Sequence, residues 1–360
     1  MRSSPPRPTR MVSILPTLRS TPDGPARRGF ARFRLVIALP VIAMVFAVFA
    51  VPSPAAADPD EGGSAALSRA LEDAAKAYYD IQAKLTASQK RQVEIRKQLE
   101  EAETRLAELN ETVSRMAAAR YKSGNMSALN GLFFGRAAGS DFLQNASVSE
   151  YLAWRDDSEL RLYREARDEA ETIQQLLDAE VANEKNQLKE LEKQKRNAEK
   201  ALAAVGGMVS AGYDGPTPAR AQPAPRNADG SFPYESCSVN DPTTGGCITP
   251  RTYHAITEAR LAKFNRAVYC WRTQSFGEHP RGRACDFSLK WSGFGGVATS
   301  SEKTYGSRLA NYFIKNANAL GVLYVIWYRQ IWMPGVGWRA YYGLSGPSGE
   351  HTNHVHLSML

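Results

Sequence analysis

The sequence predicts two folded parts: an N-terminal all-α antiparallel coiled-coil hairpin, and a C-terminal α+β domain with a small mixed sheet and flanking helices. Three observations predict this. No proline occurs between Pro59 and Pro216, and apolar residues recur there in heptads. Residues 206–235 then turn rich in proline, glycine and alanine. Residues 236–360 change texture again and hold all five histidines, all four cysteines and five of the six tryptophans. The expected organisation is an export signal at 1–57, a coiled-coil hairpin at 58–205, a linker at 206–235 and a last domain at 236–360.

A chain of 360 residues has room for about two domains at ~150 residues each. Hydrophobic residues are 43% and charged residues 23%. That balance excludes wholesale disorder, a collagen and a polytopic membrane protein. The net charge of +8 suggests nucleic acid until it is divided by segment. Residues 1–57 contribute eight arginines against the single acid Asp23, and the remainder sums to +1. No nucleic-acid partner is expected.

In the first segment, Arg32 and Arg34 precede an apolar run from Leu35 to Val51, broken only by Pro40. Ala55-Ala56-Ala57 follows. A basic start, an apolar centre and small residues make an export signal, with cleavage after Ala57. Arg27-Arg28 resembles a twin-arginine signal. The missing Ser/Thr before it and the strongly apolar centre favour general secretion. An uncleaved anchor is the alternative, since 17 such residues nearly span a bilayer. Either way the remainder lies outside the membrane, extracellular or in a cell wall.

In the second segment, Leu71, Tyr78, Leu85, Gln92, Leu99, Leu106 and Val113 form one heptad series. Ala74, Ile81, Ser88, Ile95, Ala102, Leu109 and Met116 form the other, giving a and d positions. Ser88 and Gln92 weaken the seam. Tyr121-Lys122-Ser123-Gly124-Asn125 carries a turn signal. Leu129, Leu132, Phe133, Phe134, Phe142 and Leu143 then suggest a compact tip of short helices. A second helix, expected from near Ser149, repeats apolar positions at Leu177, Val181, Leu188, Leu191, Ala198 and Leu202. The same pattern would suit a homodimer.

Pro216, Pro218, Pro223 and Pro225 mark the linker. In the last domain, Thr249-Pro250 opens a helix running to about Arg266, with proline at its first position. Residues 267–271 and 284–289 read as strands. Residues 301–320 read as an amphipathic helix stopped by Gly321, 322–327 as a buried strand and 354–357 as a final strand. Cys237, Cys247, Cys270 and Cys285 read as two disulfides in an exported chain. Sequential pairing closes the shortest loops and is expected. A four-thiolate zinc site is the alternative, though no C-x-x-C spacing supports it.

Two clusters carry the chemistry: residues 278–286, with Glu278, His279 and Asp286, and residues 350–356, with Glu350, His351, His354 and His356. A turn at Gly282 would bring His279 and Asp286 to one point. On a strand Asp286 faces away from Cys285, which leaves the cysteine free for a disulfide. His354 and His356 share a face. His279, Asp286 and His356 would give Zn2+ three ligands and one open position, the layout of a catalytic zinc. A lone His-x-His pair is more often a surface or core pair; the concentration of four histidines in two short segments changes those odds.

His279-Pro-Arg-Gly282-Arg-Ala284-Cys-Asp286 resembles the H-x-x-G-x-A-x-D signature of the D-alanyl-D-alanine carboxypeptidase and hedgehog-type zinc fold. His354-Val-His356-Leu-Ser358 resembles that family's final ligand strand. The resemblance covers about the last 125 residues. It implies zinc on His279, Asp286 and His356, and an activated water that cuts a peptide bond in bacterial cell-wall stem peptides. Two departures stand out. Gly277 replaces a frequent serine. Asn353, which cannot take a proton, occupies a position where many members carry the base carboxylate. Glu350 has the spacing of hedgehog-type members and would then be the general base. His351 or His354 could instead take that role or stabilise an oxyanion; separately, Glu350, beside Ser348 and Gly349, also reads as a solvated loop acid. Arg281 and Arg283 could hold a substrate carboxylate or be solvated charges. The aromatic runs 327–332 and 337–339 could line a groove or pack in the core.

Ala119-Arg-Tyr-Lys-Ser-Gly124, Leu132-Phe-Phe134 and Ser140-Asp-Phe-Leu143 resemble the helical region of exported peptidoglycan hydrolases and their activators, in which a coiled coil controls or positions a lytic domain. The expected function is an exported zinc peptidoglycan peptidase. Its partners would be peptidoglycan and, through the coil, a membrane protein or second hydrolase. The alternatives are a non-catalytic wall-binding or hydrolase-activating protein with a degenerate site, and a structural envelope protein that holds anionic wall polymers by charge.

Overall fold

The computed structural model describes residues 63–134, 139–213 and 215–360. The expected export signal lies outside these residues. All described residues belong to one unit, Ala55–Leu360. Among them no helix is long and apolar enough to cross a membrane.

The N-terminal part is two long helices, α1 (Ala65–Phe134) and α2 (Gly139–Leu202). Ion pairs Arg91–Glu180, Arg105–Glu169 and Arg120–Asp156 link them. The partner number falls as the first rises, so the helices run antiparallel. Ser88 and Gln92 are buried between them, and Gln92 donates to Glu184. The turn expected at 121–125 is absent, because α1 continues through it. One glycine costs a helix about 1 kcal/mol, too little to end one this long. For the same reason α2 starts at Gly139 rather than near Ser149.

The C-terminal part is α+β. A seven-stranded sheet is built from β1 (Gly206–Val209), β4 (Val268–Tyr269), β5 (Ala284–Ser288), β6 (Val322–Trp327), β7 (Gln330–Met333), β8 (Gly337–Tyr341) and β9 (His354–Met359). Its order is β1-β8-β7-β6-β9-β5-β4. Every recorded pairing is antiparallel, where a small mixed sheet was expected. Two-residue strands β2 (Val239–Asn240) and β3 (Cys247–Ile248) form a separate ladder. Helices α3 (Pro250–Leu261), α4 (Ser300–Lys315), α5 (Ala317–Leu320) and α6 (Gly346–Gly349) complete the part. Thr249 caps α3, and a Thr299–Glu302 capping box starts α4. Gly321, in the left-handed conformation, ends α5.

Helices cover both faces of the sheet. On one face Val325, Trp327, Leu357, Val355 and Phe287 pack with Ile256, Leu309 and Phe313 of α3 and α4. On the other, Tyr324, Ile326, Ile331, Met333 and Tyr341 pack with Leu67, Leu71, Ala74 and Ala75 of α1 and Ala198 and Leu202 of α2. The roots of the long helices thus close the second face. Tyr79 of α1 is buried, with its hydroxyl 2.8 Å from the Val322 carbonyl and 3.0 Å from that of Ala317.

Residues 206–235, expected as a linker, are laid against this body. Residues 206–209 form the edge strand β1. Ala221 and Ala224 are buried, and Ala224 N–H donates to the Ala319 carbonyl. Prolines spaced through this segment suit an extended chain pinned by single hydrogen bonds. The cysteines form disulfides Cys237–Cys247 and Cys270–Cys285, and no free cysteine remains.

Candidate metal centre

The site is set by strand register. Asp286 on β5 pairs directly with His356 on β9, and His356 with Ile326 on β6. Paired residues share a face, so Asp286 and His356 point to the side covered by the long helices. His354, two residues from His356, shares that face, while Cys285 points the other way into its disulfide. His279 arrives from the single-turn helix 279–281, which Gly282 ends with φ +68°. A Cβ there would collide with Cys237 Sγ, so only glycine fits the turn.

Three donor atoms converge. His356 Nδ1 lies 2.9 Å from Asp286 Oδ1. His279 Nε2 lies 3.3 Å from that oxygen and 3.3 Å from His356 Nδ1. Ligand atoms held at about 2.0–2.1 Å by a tetrahedral zinc lie roughly 3.3 Å apart. The trio therefore has the spacing of one triangular face around such an ion. All three residues are at most 1% exposed.

The far end of each of the three side chains is held. His279 Nδ1 donates to the Cys270 carbonyl, which only accepts, so Nε2 keeps a lone pair. Ser358 Oγ lies 2.8 Å from His356 Nε2 and can accept its proton, freeing Nδ1. Arg272 donates to the second oxygen of Asp286. Such outer partners orient metal ligands and fix their tautomers. Burial pushes the Asp286 carboxyl up, but its contacts with His279, with the Arg272 guanidinium and with His354 hold it well below its ordinary range. The donor set, two imidazoles and a carboxylate, suits a divalent ion of zinc's type.

His354 belongs to the same cluster. Its Nε2 is 3.5 Å from Asp286 Oδ1, and its Nδ1 lies 2.7 Å from Asn353 Oδ1. An amide oxygen accepts, so that contact puts the proton on Nδ1. Phe294 covers the ring at 5.2 Å between centroids. His351, buried with φ +52°, sits 4.8 Å from His354 and 5.6 Å from His356, centroid to centroid. His351, His354 and His356 make a second group with metal-binding spacing.

The other expected residues have different surroundings. The Glu350 carboxylate takes an ion pair from Arg329 at 2.6 Å and stands outside both donor groups. Its backbone carbonyl accepts from Arg329 N–H, and that of His351 from Tyr328 N–H. Tyr328 and Arg329, with φ +49° and +63°, form the two-residue turn between β6 and β7. Arg281 and Arg283 are engaged in ion pairs within the protein. They bind Glu72 of α1 at 2.6 and 2.7 Å, and Arg283 also binds buried Glu278 at 2.7 Å. Trp327 is core, packed beneath Gly306.

Sequence reasoning missed Arg272, the Cys270 carbonyl and Tyr324, which stacks on His356 at 5.7 Å. Only the alternation of β9 could have pointed to Ser358 as a partner of His356.

A family model described as "VldE, C-terminal domain" matches residues 244–355. That span is under half of the chain. It contains His279, Asp286, His351 and His354 and stops one residue before His356. No curated protein matches the chain, and no solved structure matches it.

Proposed function

We propose that this is an exported zinc-dependent peptidase of bacterial peptidoglycan stem peptides, with a C-terminal part of the D-alanyl-D-alanine carboxypeptidase and hedgehog type and an N-terminal coiled coil that positions or regulates it. The reading rests on one observation: His279, Asp286 and His356 bring three donor atoms within 3.3 Å of one another with their far ends anchored. Two disulfides in the last domain support export.

His279, Asp286 and His356 would hold the ion. When bound, it would supply Lewis acidity to a peptide carbonyl and lower the pKa of water. The chain's own residues do the rest. Arg272 holds the Asp286 carboxylate in place. His354 Nε2 lies 3.5 Å from Asp286 Oδ1 and would take a proton from attacking water, while Asn353 Oδ1 beside Nδ1 fixes the tautomer. It suits this role better than Glu350, whose carboxylate is occupied by Arg329. His354, protonated, then returns the proton to the leaving amine.

A second reading is a non-catalytic wall-binding or hydrolase-activating protein with a degenerate site. It is favoured by Asn353 and by the burial of all five site residues at 2% exposure or less. The test incubates the zinc-loaded full chain with peptidoglycan and identifies soluble products by mass spectrometry. Stem-peptide fragments that vanish in His354→Gln support the peptidase. No fragments from a folded, zinc-loaded chain support the binding reading.

A further inference from the structure

We infer that Glu72, near the start of α1, is a positioning residue of the metal centre, acting through Arg281 and Arg283 on the turn that carries His279. The inference rests on the metal reading above.

Glu72 is 209 residues from Arg281 in sequence, yet its carboxylate spans both arginines. Oε2 accepts from Arg281 Nη1 at 2.6 Å, and Oε1 accepts from Arg281 Nη2 at 3.2 Å and Arg283 Nη1 at 2.7 Å. The arginines continue to Glu278, at 3.3 Å from Arg281 and 2.7 Å from Arg283. Glu278 is fully buried and directly precedes His279. The network therefore brackets the turn: Glu278 before the ligand, Arg281 and Arg283 after it, and Glu72 closing the ring from another element.

The four groups balance, two anions against two cations. Removing Glu72 leaves a surplus positive charge in a corner partly shielded from solvent. The adjacent ligand set has a single anionic member, Asp286, already shared with Arg272. A surplus cation there opposes a dication, and the guanidinium groups lose the anchor that fixes the turn. Isolated surface ion pairs contribute little; this one is networked and partly buried. Burial raises the Glu72 pKa, but hydrogen bonds and charge from Arg283 and Arg281 bring it down to about 2. The carboxylate is therefore ionised across the physiological range.

The root of the helical hairpin is on this account part of the metal centre, and any movement that lifts α1 weakens metal binding. The test is zinc affinity of the full chain by competition with a chromogenic chelator. Wild type should take up one zinc. Glu72→Gln should bind about 10-fold more weakly, the lower range for outer partners of metal ligands. Glu72→Asp, which keeps the charge on a shorter side chain, should lose less affinity than Glu72→Gln. Lys76→Gln, which cuts the exposed pair with Asp80 one turn further along α1, should leave it unchanged. If Glu72→Gln folds poorly, Arg281→Lys keeps the charge but gives up the two-nitrogen contact with Glu72 and should show a several-fold loss. Unchanged affinity in a folded Glu72 or Arg281 variant overturns the inference and leaves the metal site standing. No zinc uptake by wild type overturns the metal reading and this inference with it.

Discussion

Asp286 and His356 face each other as a directly paired couple on adjacent antiparallel strands, with Oδ1 and Nδ1 2.9 Å apart. A carboxylate and an imidazole held this way by backbone register are pre-aimed at a common point. Only His279 must be supplied by a loop, and a glycine turn, a disulfide and an ion-pair ring hold it. Replacing Asp286 by Asn, nearly isosteric, should abolish stoichiometric zinc binding while keeping the far-ultraviolet circular dichroism of wild type. Retained stoichiometric zinc in both Asp286→Asn and His279→Ala would remove the assignment.

His354 and Glu350 make opposite predictions for the proposed reaction. With His354 as the proton acceptor, His354→Gln should lower kcat on peptidoglycan by about 10²-fold or more, within the range for loss of a general base. Glu350→Gln should change it less than about threefold, since that carboxylate is engaged by Arg329 in an exposed ion pair, and such pairs contribute little. The reverse ranking, read from fragment release rates, would return the role to Glu350.

The Cys270–Cys285 disulfide closes a 15-residue separation, and the Cys270 carbonyl accepts from His279. Loss of the bridge should cost about 3 kcal/mol by loop entropy and loosen a ligand. A Cys270→Ser/Cys285→Ser chain should melt lower by calorimetry and also bind zinc more weakly. A lowered melt with unchanged zinc affinity would show that the bridge supports the fold alone.

Glu72 sets a pH signature. Its folded pKa, about 2, lies below the ordinary 4.5. The unfolded chain therefore binds this proton first as pH falls. Its stabilisation is fully present above about 4.5 and is lost between about 4.5 and 2. Melting temperatures of wild type and Glu72→Gln should differ at about pH 7 and converge as the pH approaches about 2. A constant gap across that range would contradict the ion-pair account.

The hydroxyl of Tyr79 joins α1 to the domain at Val322 and Ala317. Tyr79→Phe leaves a buried carbonyl without its donor, which costs about 1–3 kcal/mol. Thermal melts should show that loss; a change within error would mean the α1 root is not packed as described.

How much of this was readable from sequence depends on the range of the physics involved. Two-residue alternation on β5 and β9 set the faces of Asp286, His354 and His356, so the clustering of these three side chains could be read from local pattern. Gly282 marked its own turn. The β7–β8 hairpin was not read as strands, and the turn that leads into it, Tyr328-Arg329, carries none of the Asn-Gly chemistry that usually signals one. The contacts of that turn with Glu350 and His351 offset its positive φ angles instead. Arg272 and Glu72 left no local signal, since their roles exist only after distant elements pack. The heptads of α1 and α2 read as a hairpin seam, while the same apolar residues at Leu71, Ala74, Ala198 and Leu202 also bury the sheet, a use no periodicity distinguishes.

The most direct test of the metal centre is X-ray absorption at the zinc edge of the zinc-loaded full chain. The account predicts a shell of nitrogen and oxygen only, at about 2.0–2.1 Å, with the multiple-scattering signature of two imidazoles. A sulfur shell near about 2.3 Å, or no zinc retained for measurement, would contradict it.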